Sequence, residues 1–147
     1  MEEADLRFEP FPAKARSVSG AVNGVETEIT LTNFSDKILV TISQGGRLSQ
    51  WVQVPLTGSA ARAVDMSLPG APKSLLPSTH LTPTTLFGGG GDDRETVGQL
   101  YAAQLASQIE MRNGDDKRTL VVGLGLESVD KSRETFFDFI ELAQQVL

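Results

Sequence analysis

The chain has 147 residues, 19 of them acidic and 13 basic, for a formal charge of −6 and a pI near 4.7. No Lys/Arg cluster offers the basic stripe by which proteins hold nucleic acid, and no apolar run reaches the roughly eighteen residues of a membrane span. With no cysteine there is neither a disulfide framework nor a thiolate zinc site.

The length fits one domain, which can bury about 70% of the surface its unfolded chain exposes. The acidic opening "MEEADLRFEPFP" lacks the basic and apolar segments of a secretion signal. The expectation is a single soluble domain over residues 1–147, cytoplasmic, with the nucleus as a second compartment. Residues 1–13, with Pro10 and Pro12, read as an extended arm.

A first strand is expected over Lys14–Val22. Asn23 and Gly24 then give a strong hairpin signal, because both residues tolerate positive φ. In "VETEITLTNF" the residues Val25, Thr27, Ile29 and Leu31 share one face with period two. "SDK" breaks the run before a third strand, "ILVTIS". "QGGR" is a second glycine turn, leading into "QWVQVPL". Four apolar runs joined by short turns predict an antiparallel meander. Residues 58–83 hold four of the seven prolines and read as a long loop with one helical turn in "SAARAV". "TTLF" is a short fifth strand.

The spacing of Val97, Leu100, Tyr101, Gln104, Leu105, Gln108 and Ile109 predicts a helix over Asp92–Arg112 with that stripe buried. Asn113 and Gly114 are its stop. "TLVVGLGLE" is a sixth strand, nearly continuous in apolar residues. Asp130 or Ser132 caps a last helix whose buried side is Phe136, Phe139, Ile140, Ala143 and Leu147. This order of elements is α+β.

The run Gly88, Gly89, Gly90 and Gly91 invites comparison with a phosphate loop. No glycine in the chain is followed by lysine, so the phosphate-binding Gly-Lys-Ser/Thr is missing. Asp92, Asp93 and Glu95 already complement the helix dipole and would repel a phosphate there. The run reads as a flexible connector with an acidic cap. The single histidine, His80, stands beside Ser78 and Thr79 in the proline-rich loop, without an orienting third group. Asp92 with Asp93 and Asp115 with Asp116 are a cap and a turn, and no calcium-loop spacing occurs. No catalytic, metal or cofactor-binding residues are assigned.

Two helices cover one face of a small sheet, so the other face matters. With Ile29, Leu31, Ile38, Val40, Ile42, Val52, Val54, Leu56, Leu120, Val122 and Leu124 in the core, the opposite parity holds Thr30, Thr32, Leu39, Thr41, Trp51, Gln53, Val121 and Gly123. Solvated sheet faces carry charges, whereas interface centres are poor in charge and rich in aromatics. These eight residues are the expected dimer interface, formed sheet on sheet. The alternative is a threonine-rich solvated face with one exposed tryptophan.

"VNGVETEITLTNFSDKILVTISQGGRLSQWV" resembles the N-terminal half of the proteasome assembly chaperone 3 family. Shared features are the "G-V" turn, the "T-x-F-S" break before "ILV", and the "Q-x-G" turn followed by a basic residue. The second half is similar in pattern: a threonine-led strand, a glycine connector, a long helix, an apolar strand, then "DKSRE" opening the last helix. The likeness runs from about Ser17 to Val146, apart from the long loop. It implies a six-stranded antiparallel sheet with both helices on one face. It also implies pairing through the other face, with itself or with proteasome assembly chaperone 4. The partners implied are α-type proteasome subunits, notably the fifth (alpha-5), bound without catalysis while the α-ring is built. Two other readings stand beside it: a small dimeric signalling or trafficking scaffold, and a nucleotide-dependent enzyme using the four glycines.

Overall fold

The computed structural model describes residues 14–56, 81–88, 90–129 and 132–147. The N-terminal arm, nearly all of the long loop with its helical turn, His80 and Asp130 lie outside the described residues. The elements in chain order are β1 (Lys14–Val22), β2 (Val25–Asn33), β3 (Lys37–Gln44), β4 (Gln50–Pro55), β5 (Thr84–Phe87), α1 (Asp92–Arg112), β6 (Thr119–Gly125) and α2 (Arg133–Gln144).

β1 and β2 form the expected hairpin. Asn23 and Gly24 take φ of 53° and 76°, and Val22 pairs with Val25 across the turn. Beyond β3 the structure departs from the meander. The sheet order is β1-β2-β3-β6-β4-β5, with β6 lying between β3 and β4. β6 runs parallel to β3 and antiparallel to β4, so the sheet is mixed and not purely antiparallel. The physical reason lies in composition. A central strand is sheltered by a neighbour on each edge, and "TLVVGLG", apolar on both parities, is the chain's best candidate for that place.

Splitting the β3–β4 pair forces residues 45–49 to cross the end of β6. Ser49 N donates to the Leu124 carbonyl at 2.8 Å, and the Ser49 hydroxyl reaches the same oxygen at 3.3 Å. Gly125 lies directly beneath this crossing, where any methyl group would overlap the Arg47 carbonyl oxygen. The neighbour is backbone and cannot rotate away. Gly125→Ala is expected to destabilise the protein by about 1–3 kcal/mol in urea denaturation, the usual cost of overpacking.

Both helices pack on one face. Their buried residues join Ile29, Val40, Ile42, Val52, Val54, Leu120 and Val122 in a single core, and all eleven core positions expected from parity are buried. Tyr101 is its centre, 1% exposed, with Phe136 at 4.9 Å and Phe139 edge-on at 5.4 Å between ring centroids. The α1 stripe is rotated from the expected one. Val97, Tyr101, Leu105 and Ile109 are buried, but Leu100 is half exposed and Gln104 and Gln108 are only partly covered. Gly98, Ala102 and Ala106 take the buried places instead. Small residues let the helix approach the sheet, and a side chain at Gly98 would overlap the Gln50 amide, which donates to the Arg94 carbonyl at 3.0 Å. In α2 the Ser132 hydroxyl accepts from Thr135 N as the N-cap. Thr135 and Val146 are buried, while Phe136 and Leu147 lie at the margin.

A buried-edge ion pair fixes one corner of the sheet. Arg118 donates to both oxygens of Asp116, at 2.9 and 2.7 Å, and through Nη1 to Asn33 Oδ1 and the Phe34 carbonyl. The Arg118 hydrogen bonds hold the Asp116 carboxyl below its usual range, against the opposing effect of burial. A depressed folded-state pKa stabilises above the unfolded value, about 3.9, and its contribution fades as pH falls through the lower folded value. Asp116→Asn is therefore expected to cost about 1 kcal/mol at neutral pH. In denaturation curves the gap to the parent should close as the pH drops below about 4.

Candidate functional site

The eight residues assigned to the open face all lie on the side away from the helices, and the strand register brings them together. Across the sheet, Ser17, Thr30, Thr41, Gly123, Trp51 and Phe87 form one row. Ala15, Thr32, Leu39, Val121, Gln53 and Thr84 form the next. Neither row contains an ionisable group. Charge appears only toward the ends of the strands: Glu26 and Glu28 on β2 near the Asn23 turn, and Lys37, paired with Asp36 at 2.9 Å, at the start of β3.

Within the protomer, seven of the eight are half-buried, because neighbours on a pleated face shelter one another. The eighth, Gly123, is buried. The Trp51 ring lies over it: a Cβ at Gly123 would stand 3.0 Å from the six-membered ring. A glycine here lets the indole lie flat on β6, which keeps the face level. Trp51 also meets Phe87, with centroids 6.2 Å apart and rings inclined by 34°. Phe87 is 63% exposed, a large apolar ring left largely to water.

Sequence reasoning missed Phe87, Ala15, Ser17 and Thr84. The two β1 residues were readable, since the Asn23 turn fixes the register of β1 on β2. Phe87 was not. A register shift between Trp51 and Val52 leaves Leu86 unpaired and turns Phe87 onto the face of Trp51, against simple alternation from Thr84.

The glycine run has a packing explanation. A side chain at Gly88 would overlap the Ser49 carbonyl, so backbone approaches backbone here. α1 begins at Gly91 without a side-chain cap, and Asp92, Asp93 and Glu95 occupy its first turn. Among the described residues, no group of three His, Asp or Glu side chains could hold a metal. None of the described helices is long and apolar enough to cross a membrane.

Comparison with known proteins places the chain in a family. The profile of the family described as proteasome assembly chaperone 3 matches residues 40–146, well over half of the chain. The chain belongs to the proteasome assembly chaperone 3 family. Among solved structures it is similar to a chain of a chaperone complex for yeast 20S proteasome assembly, with a TM-score of 0.62 and 12% identity. That match covers 90% of this chain and 97% of the yeast one. At this identity the likeness is one of fold. No curated protein sequence matches. Membership of the proteasome assembly chaperone 3 family gives the chain a role as a chaperone of proteasome assembly. The part of the sheet that the profile spans includes Thr41, Trp51, Gln53, Val121 and Gly123.

Proposed function

We propose that this chain works as a dimer, paired through the uncovered sheet face with a second copy or with a proteasome assembly chaperone 4-like partner. The dimer holds α-type proteasome subunits, the fifth (alpha-5) first, while the α-ring is built. One observation carries the dimer: two adjacent rows of side chains cross all six strands without a single charge. Interface centres are depleted in charge and enriched in aromatic residues, and Trp51 with Phe87 supplies the aromatic corner. The family and the name of the yeast complex support work in proteasome assembly, and the α-subunit assignment is what the family resemblance implies.

The test is retention of purified α-type subunits, one at a time, on the immobilised chain, alone and mixed with the chaperone 4-like partner. Alpha-5 should be retained in at least one condition. If no α-type subunit is held in either, the dimeric scaffold reading replaces this one.

A further inference from the structure

Where β3 gives way to residues 45–49, a cleft of about 560 Å³ opens at the end of the sheet, away from the charge-free rows. Its size lies within the range of small-ligand sites. Two arginines from different elements line it, Arg47 on the crossing loop and Arg94 in the first turn of α1, together with Gln44, Ser49 and Glu127. Among the described residues neither guanidinium has a hydrogen-bond or ion-pair partner.

The backbones that carry these arginines are anchored. The Ser43 hydroxyl donates to the Arg47 carbonyl at 3.1 Å, and the loop is pinned on Leu124 and Gly125 as described above. The buried Gln50 side chain donates to the Arg94 carbonyl. Glu127 is positioned from the opposite wall, its N–H donating to Gln44 Oε1 at 3.0 Å. Buried Gln44 is held in turn by its own donation to Thr27 Oγ1. The Gln44 and Ser49 side chains of the floor are thus committed, while the two arginines have no partner among the described residues.

The geometry points to a receptor site for one carboxylate, an aspartate or glutamate side chain in an exposed segment of a protein partner. Guanidinium groups grip carboxylates through paired N–H donors, with a fit that lysine lacks. Charge selects the class. Two arginines against Glu127 leave one net positive charge, which a single carboxylate balances. A doubly charged phosphate would exceed that single charge and still face Glu127. The lining also has no aromatic ring on which a base could stack. The site is separate from the uncovered face, so a dimer can present it on each copy.

The experiment is an NMR titration of the full chain with acetyl-Gly-Glu-Gly-amide, its glutamine counterpart and inorganic phosphate. The glutamate peptide should shift the Gly45 and Gly125 amides and the arginine Nε–H signals saturably, and the glutamine peptide should not. R47Q and R94Q should each weaken binding about tenfold, and E127Q should strengthen it about threefold, while the remaining spectrum stays unchanged. A gain from E127Q cannot come from a damaged fold. Equal responses to the two peptides, or binding indifferent to R47Q and R94Q, would overturn the assignment. Tighter binding of phosphate than of the glutamate peptide would overturn it too. No α-type subunit enters this measurement, so it stands or fails apart from the function proposed above.

Discussion

Thr41→Glu is expected to convert the proposed dimer to monomers. Thr41 sits in the middle of the charge-free face, between Thr30 and Gly123 in its row. In a free protomer its side chain is half exposed, so a carboxylate there stays hydrated and folding is little affected. In a sheet-on-sheet dimer the same carboxylate is buried without a partner, once in each copy. An unpaired buried charge costs about 3–5 kcal/mol, so dimer dissociation should rise by at least about a hundredfold. Sedimentation velocity would show the halved mass. Trp51 emission would move to longer wavelength as water reaches the indole. Thr41→Val, which adds no charge, should leave the dimer intact. A parent chain already monomeric at micromolar concentration, with a water-exposed Trp51, would remove the dimer proposal.

Two neighbouring residues of α1 should behave in opposite ways. Tyr101→Ala empties the centre of the core and removes contacts with Phe136 and Phe139. It is expected to lower stability by about 3–5 kcal/mol, as for other large aromatic truncations. Leu100→Ala, at a position 50% exposed, should stay within about 0.5 kcal/mol of the parent. Urea denaturation of both variants measures the rotational setting of the helix directly. Equal losses would mean that Leu100 is as buried as Tyr101.

That pair marks where the sequence was legible and where it was not. Burial alternates along "VETEITLTN", "KILVTISQ" and "QWVQVP", and the β-branched and polar residues on either side of Leu39 and Trp51 allowed the two sides of β2, β3 and β4 to be told apart. For α1 the large residues at spacings of three and four drew the stripe toward Leu100. The true stripe turns toward Gly98, Ala102 and Ala106, which weigh little on any hydrophobicity scale yet allow the helix to lie close to β4. Strand neighbours were harder still. "QGGR" has the length of a hairpin turn, and nothing local tells that a strand from far along the chain parts the two runs it joins. The one available signal was the composition of "TLVVGLG", apolar on both parities, which suits a central strand and not an edge. The Phe87 side of the aromatic corner depends on a bulge, which alternation cannot anticipate. The two arginines of the cleft stand 47 positions apart by their numbers, and only the crossing loop brings them to one place.

The insertion of β6 also sets a timetable. As the chain leaves the ribosome, β1, β2 and β3 can pair at once, but β4, β5 and α1 have no central strand to dock on until residues 119–125 emerge. Pairings between segments so distant in sequence form slowly, because the intervening chain must first be closed into a loop. Val121 and Gly123 stand at the middle of the two charge-free rows, so that surface does not exist on a nascent or truncated chain. A molecule that docked there would meet only protomers in which β6 had already been placed.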